Sequence, residues 1–435
     1  MAHQLKKLGF TKVYALKGGY RAWVEAKLPL EKKWSIRKEC VTCHESVTPQ
    51  IVSDWRLSKH SKNGVTCSVC HLDYHCSEKD VAKARAVTPD RCILCHQVQG
   101  DQFMAGKHAD AWYAMQALPT AHWKSMNSLD GIKDCVSCHR IGLKSRGDIK
   151  KLLKQGAGFG MASCDVCHTR HTFFKKEAQQ PQACETCHSG ADHAQWEMYS
   201  GSKHGVRYGL KQMGILPKST SAPTCQTCHM AEGDHEVRTA WGFLGIRLGM
   251  QGDKEWITAS ETIFRALGLT DSEGKPTPSM KVMKRRNVFR KSDAEWKAER
   301  EKMLVNCSGC HTISFADEAL NKGDRMIRKT DLIMAEAIRI VEALYNDGTL
   351  QKPEEYKQPF PDFMIPLKNP RSIEIKLWRM FGEYRMRAFH GTFHGNPTYA
   401  FWSGLGEMEQ ALSEIKEMAA DLRGKVRMKK SASNQ

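Results

Sequence analysis

The chain has 435 residues, 41% hydrophobic and 26% charged, the balance of a globular protein long enough to bury a core. Its 66 lysines and arginines outnumber its 48 aspartates and glutamates, giving a formal charge of +18 that raises nucleic acid as a partner. No run of about 18 apolar residues occurs, which excludes a membrane-spanning helix, and the opening MAHQLKKLGF lacks the apolar centre of a secretory signal.

Residues 1–33 read as a helix, a short strand (VYAL), a Gly-Gly turn and an amphipathic helix carrying Trp23. The pattern GGY-AW before a final helix resembles the end of a rhodanese domain, and residues 1–35 are assigned to such a fragment. The loop that would carry a sulfurtransferase nucleophile is missing and no cysteine precedes Cys40, so the fragment is expected to be structural.

Residues 36–312 contain all 17 cysteines, and 16 of them fall into eight C-x-x-C-H motifs. These are Cys40, Cys43, His44; Cys67, Cys70, His71; Cys92, Cys95, His96; and Cys135, Cys138, His139. The other four are Cys164, Cys167, His168; Cys184, Cys187, His188; Cys225, Cys228, His229; and Cys307, Cys310, His311. Disulfides do not demand a histidine after every second cysteine, and zinc sites do not repeat one pentapeptide eight times. Two thiols that bond the vinyl groups of one haem, with the next histidine on the iron, account for the whole pattern. Eight c-type haems are therefore expected, and Cys76, left over, is expected to be a small buried filler. The motif starts lie 27, 25, 43, 29, 20, 41 and 82 residues apart, too irregular for a solenoid. Little regular structure is expected around the haems, apart from helices near 254–267 and 292–306 flanking the loop DSEGKPTPS.

Two propionates on each haem largely neutralise the positive excess, and no nucleic-acid-binding module accompanies it, so nucleic acid is not expected as a partner. Haem attachment of this kind takes place outside the cytoplasm. The protein is expected to be periplasmic or otherwise extracytoplasmic, with its export signal removed or missing from this sequence.

Residues 313–435 have no cysteine. DLIMAEAIRIVEALYNDG is apolar at helical spacing and stops at Asn-Asp-Gly; RSIEIKLWRMFGEYRMRAF and EMEQALSEIKEMAADLRGKV follow a Pro-rich connection. A bundle of long helices is expected, ending in a disordered KKSASNQ. The fold class is thus mainly α, a multihaem cytochrome c followed by a long-helix C-terminal bundle.

Eight of the 19 histidines are proximal ligands. Haems that only carry electrons take a second protein ligand, most often histidine. The candidates are His60, His75, His108, His122, His171, His204, His235, His390 and His394. His75, His171 and His235 follow a proximal histidine by four, three and six residues, too close to curl back onto the same iron, so each is expected to serve a neighbouring haem. His193 differs because Asp192 precedes it, and an Asp–His pair beside an open iron suits a multi-proton redox reaction.

Eight such motifs followed by a helical tail resemble the octahaem hydroxylamine oxidoreductase family over about residues 36–425. The fourth motif, with His139, falls where that family has its catalytic haem. GADHAQWEMYSGSKHG resembles its catalytic Asp–His segment, which implies Asp192 and His193 in the distal pocket. HGTFHGNPTYAFWSG resembles the tail segment whose tyrosine, here Tyr399, is bonded to the catalytic haem of a neighbouring subunit in hydroxylamine-oxidising members.

The resemblance implies a homotrimer or larger assembly that oxidises hydroxylamine or a related small nitrogen compound and passes electrons through seven bis-histidine haems to a partner cytochrome c. A nitrite-reducing enzyme without the cross-link is the alternative from the same family. A non-catalytic electron conduit is the alternative from another class. An enzyme of sulfur oxyanions is a third.

Overall fold

In a computed structural model the described residues are 22, 25–26, 38–72, 74–84, 87–117, 137–154, 163–190, 193–239, 241, 243–247, 251–285, 292–356, 358, 360–365 and 367–433. The rhodanese-like reading of residues 1–33 falls almost wholly outside them. Two compact units are present, residues 1–84 and 85–435, so the tail helices share a unit with most of the haem zone. Among the described residues the protein is α-helical, and the one β feature is an isolated antiparallel bridge between Thr270 and Pro276. None of the described helices is long and apolar enough to cross a membrane.

The first unit holds α1 (Lys38–Val47), α2 (Pro49–Leu57) and α3 (Cys67–His71). Pro49 opens α2 at a position where its missing N–H costs nothing.

In the second unit, α4 (Gln97–Ala105), α5 (Gln195–Ser200) and α6 (Lys203–Gln212) are short pieces between attachment motifs. The Ser202 hydroxyl caps α6 by accepting from the Gly205 amide at 3.2 Å. The longer helices are α7 (Lys254–Ala266), α8 (Asp293–Ser308) and α9 (Ile313–Asn346), capped by Asp253, Ser292 and Thr312. The tail adds α10 (Ser372–Arg379), α11 (Met386–Phe393) and α12 (Glu407–Ser433), with π-helical turns at Met380–Arg385 and Tyr399–Gly406.

The helix read in DLIMAEAIRIVEALYN therefore begins 18 residues earlier than its apolar run, because the Thr312 hydroxyl takes the Phe315 amide and starts the turn there. It ends at Asn346, with Asp347 as cap and Gly348 at φ +70°. The terminal KKSAS, expected to be disordered, is helical: α12 runs through Ser433, its lysine-rich last turns favoured by propensity and by the helix dipole.

The core is built where α7, α9, α10 and α12 meet. Met334, Ala337, Ile338, Val341 and Leu344 recur at helical spacing on one stripe of α9 and are fully buried. Gly323 of α9 leaves room for the Phe393 ring, which a Cβ there would meet at 2.5 Å. Gly391 and Gly404 let α11 and the second π-turn approach backbone to backbone, since a Cβ on Gly404 would lie 2.5 Å from the Ala388 nitrogen.

One buried ion pair crosses this core. Arg385 is 1% exposed; its Nε donates to Asp331 Oδ1 at 2.7 Å, and its other nitrogens donate to the carbonyls of Leu244 and Gly245. The second carboxylate oxygen of Asp331 accepts from Trp256 Nε1 at 2.7 Å. Each nitrogen of the guanidinium and each oxygen of the carboxylate thus has a partner, which a buried charge demands. Burial pushes the Asp331 carboxyl above its ordinary range, while Arg385 opposes the shift. Arg385→Met should cost about 3–5 kcal/mol by stranding the carboxylate, seen as a lower Tm in calorimetry of the holoprotein. Arg385→Met combined with Asp331→Leu should recover most of it; an unchanged Tm in the single variant would refute this role.

Candidate haem-binding and catalytic site

A single α-helical turn explains the attachment motif. Residues i, i+3 and i+4 share one helical face, so a C-x-x-C-H turn presents two thiols and an imidazole in one direction. The first, second and seventh motifs lie in helices, and the third, fifth, sixth and eighth close the same turn through a histidine amide donating to the first cysteine's carbonyl at 2.9–3.1 Å. Of the fourth motif Cys138 and His139 are described; Cys135 lies outside the described residues, as do His122 and Asp192.

Thiols of different motifs meet. Cys92 lies beside Cys164, Cys184 beside Cys225, and Cys187 beside Cys138. Burial pushes the Cys167 and Cys228 thiols up to about 11, so these sulfurs are neutral at physiological pH.

The histidines pair across the chain. His44 faces His75 with ring centres 6.1 Å apart, His168 faces His235 at 6.2 Å, and His188 faces His108 at 6.0 Å. His311 faces His204 at 6.0 Å and His229 faces His394 at 6.3 Å. Two imidazoles on one metal, with bonds of about 2 Å and ring radii of about 1.15 Å, have centres about 6.3 Å apart. His75 therefore stands beside His44 rather than the adjacent His71, and His235 beside His168 rather than His229.

Five of these rings, and that of His139, are oriented through Nδ1, which leaves Nε2 for a metal. His44 is held by the Thr48 hydroxyl at 2.8 Å, His139 by the Ala111 carbonyl at 2.9 Å and His229 by the Arg238 carbonyl at 2.7 Å. His235 is held by the Gly233 carbonyl at 2.7 Å, His394 by the His390 carbonyl at 2.8 Å and His75 by Asp80 at 3.0 Å. Burial pushes His108 and His394 down to about 4 and His188 to about 3, holding each in the neutral form that ligates metals. Thiol turns, facing imidazoles and spare Nε2 atoms together fit haem iron.

The remaining candidates are placed differently. His60 lies in the turn Lys59–Lys62, and the His171 ring packs edge-on against Phe173. His390 is buried, with Nε2 3.1 Å from the Gln195 side-chain nitrogen. His193 is half-buried, its ring centre 6.3 Å from that of His188, so His188 has both His108 and His193 as neighbours. Tyr399 begins the second π-turn, its amide donating to Asn396 Oδ1 at 3.3 Å. Asn396 in turn donates to the Met198 carbonyl of α5 at 3.2 Å, tying the Tyr399 segment to the helix that follows His193.

Cys76 is exposed, against the expectation of a buried filler. It sits in a turn that uses its backbone, the amide donating to Asp80 at 3.1 Å. Asp80, Gln195 and Asn396 were not singled out in the sequence. A serine–x–x–aspartate capping signature at Ser77–Asp80 was the one local signal available for them. The Ser77 amide, first among several donors, pulls the Asp80 carboxyl down to about 2.

Comparison with known proteins agrees with this chemistry. A family described as seven times multi-haem cytochrome CxxCH matches residues 157–246 and 282–357, and one described as cytochrome c554 and c-prime matches residues 11–72 and 91–169. A probable nitrite reductase-hydroxylamine oxidoreductase fusion protein of Kuenenia stuttgartiensis is 26% identical over 88% of this chain. The chain spans 51% of that relative's length. Among solved structures, a reducing HAO-like protein complex of Kuenenia stuttgartiensis superposes with a TM-score of 0.63 at 26% identity, covering 91% of this chain and 87% of that one. A hypothetical multiheme protein shares the fold, with a TM-score of 0.62 at 19% identity over 92% of this chain and 96% of its own. With the attachment turns and facing imidazoles already in view, these likenesses show the chain to be similar to multihaem c-type cytochromes of the hydroxylamine oxidoreductase-like kind.

Proposed function

We propose that this chain carries eight c-type haems, seven with two histidine ligands and one, at Cys135, Cys138 and His139, with an open face where hydroxylamine or a related small nitrogen compound is oxidised. Haem iron, when bound, supplies an electron-accepting site whose potential the axial ligands and their hydrogen bonds tune. The observation that carries the reading is the set of five facing imidazole pairs, each joining a C-x-x-C-H histidine to one outside the motifs.

Residues around the fourth motif are given defined tasks by this reading. His139 is oriented by the Ala111 carbonyl, so that its Nε2 is the proximal ligand. Nitrogen and oxygen of hydroxylamine release protons as electrons leave, and a ring nitrogen of His193 takes them one at a time. Asp192 sets the orientation of that ring. The contact between Cys187 and Cys138 supports the assignment, because it joins the turn just before Asp192 and His193 to the fourth motif.

Tyr399 favours oxidation through a bond to the open haem of a neighbouring copy. Phe401 and Trp402, 55% and 77% exposed on the same π-turn, suit a surface that another copy covers. The second reading is reduction of nitrite without that bond, and the word "reducing" in the name of the structural relative favours it. Mass spectrometry of the denatured protein separates the two, since oxidation requires a haem-linked peptide containing Tyr399. The working site is extracytoplasmic, where thioether attachment is made, and a small partner cytochrome c takes or gives the electrons.

His235→Ala and His204→Ala should each convert one haem from low-spin to high-spin, counted by magnetic circular dichroism, with all eight haems still attached. An unchanged spectrum would remove that histidine from the ligand set. His193→Ala should lower kcat by about 10²–10⁴, the usual worth of a general acid–base, and add no high-spin haem. Full turnover in that variant would sink the catalytic role, and a new high-spin haem would make His193 a ligand of the sixth haem instead.

A further inference from the structure

Asp80 is held in an unusual place for a carboxylate beside a ligand histidine. Its Oδ1 accepts from four donors at once: His75 Nδ1 at 3.0 Å, the Cys76 amide at 3.1 Å, the Ser77 amide at 2.8 Å and the Ser77 hydroxyl at 3.2 Å. The Ser77 cap of the turn Glu78–Lys83 fixes the geometry, so Asp80 cannot swing away without breaking the turn. The His75 ring it grips faces His44 at 6.1 Å, with the two planes 84° apart. Histidines 44, 139, 229, 235 and 394 give their Nδ1 protons to a hydroxyl or to backbone carbonyls, all neutral acceptors.

We propose that Asp80 is a positioning residue that lowers the reduction potential of the haem attached at Cys40 and Cys43. The inference rests on the reading of His44 and His75 as that haem's two axial ligands. A carboxylate on Nδ1 draws the proton towards itself, which makes the opposite Nε2 a stronger donor. A stronger donor stabilises the oxidised, more positive iron over the reduced one. Neutral carbonyls and hydroxyls do this more weakly, because a charge-assisted hydrogen bond is roughly twice as strong. The first haem therefore stays oxidised longer than haems whose ligand histidines have neutral partners. It passes electrons on rather than storing them.

The test uses the holoprotein with all haems attached. His75→Ala first identifies the wave: it should create one five-coordinate high-spin haem and displace one step of a spectroelectrochemical titration. Asp80→Asn keeps the shape and an acceptor oxygen but removes the charge. In Asp80→Asn the same step should move to higher potential while every haem stays low-spin. The expected size is about a tenfold change in that haem's oxidised-to-reduced ratio, about 59 mV for one electron. Asp80→Ala should move it at least as far, and Asp80→Glu should restore part of the shift. The proposal fails if the step identified by His75→Ala is unmoved in both Asp80→Asn and Asp80→Ala with the low-spin spectrum intact. If His75→Ala creates no high-spin haem, the ligand assignment itself is wrong and the proposal falls with it.

Discussion

The arrangement of the whole chain answers to a covalent constraint inside five residues. Two sulfurs and an imidazole must leave one helical turn in the same direction, and only an α-turn gives that register to positions i, i+3 and i+4. Repeating the turn at irregular intervals sets the remaining architecture. Short helices such as α3 exist to present one turn each, and longer ones such as α8 end in one. Backbone carbonyls are used to hold a ring nitrogen, as those of Ala111 and Arg238 do. The haem zone spends its hydrogen bonds on orienting imidazoles, and the tail supplies the conventional apolar packing.

The tail does more than pack. Its α11 carries His390 and is capped by His394, and its second π-turn is moored through Asn396 to the backbone of α5. The same region reaches the 241–247 segment through Arg385, where Leu244 and Gly245 adopt left-handed backbone angles that turn their carbonyls towards the guanidinium. A site assembled from segments this far apart in sequence needs a rigid frame. The close backbone approach of α11 and the second π-turn, made possible by Gly391 and Gly404, provides it.

The sequence was most legible where the signal is local. The C-x-x-C-H turns, the helices near 254–267 and 292–306 and the stop at Asn-Asp-Gly each depend on a few adjacent residues, and the structure has Lys254–Ala266, Asp293–Ser308 and an end at Asn346. The start of α9 was misplaced because Thr312 acts through one hydroxyl, invisible to apolar periodicity. The exposed Cys76 and the helical KKSAS were misread for a related reason: composition describes side chains, while both segments are governed by backbone hydrogen bonds. The partners of His44, His108 and His394 were illegible as pairs, since the ring that faces each lies 31 to 165 residues away and no local pattern encodes it. Asp80 and Gln195 were missed because they touch histidines rather than carry the motif.

The buried Arg385–Asp331 pair also ties together segments that are far apart in the chain. Its acceptors at residues 244 and 245 emerge about 140 residues before the guanidinium that satisfies them, and neither charge is tolerable in the interior alone. The interior around Trp241 and Trp256 is thus completed by a residue nearly nine-tenths of the way along the chain. A long-range contact between opposite charges thereby closes an interior drawn from segments far apart in the chain.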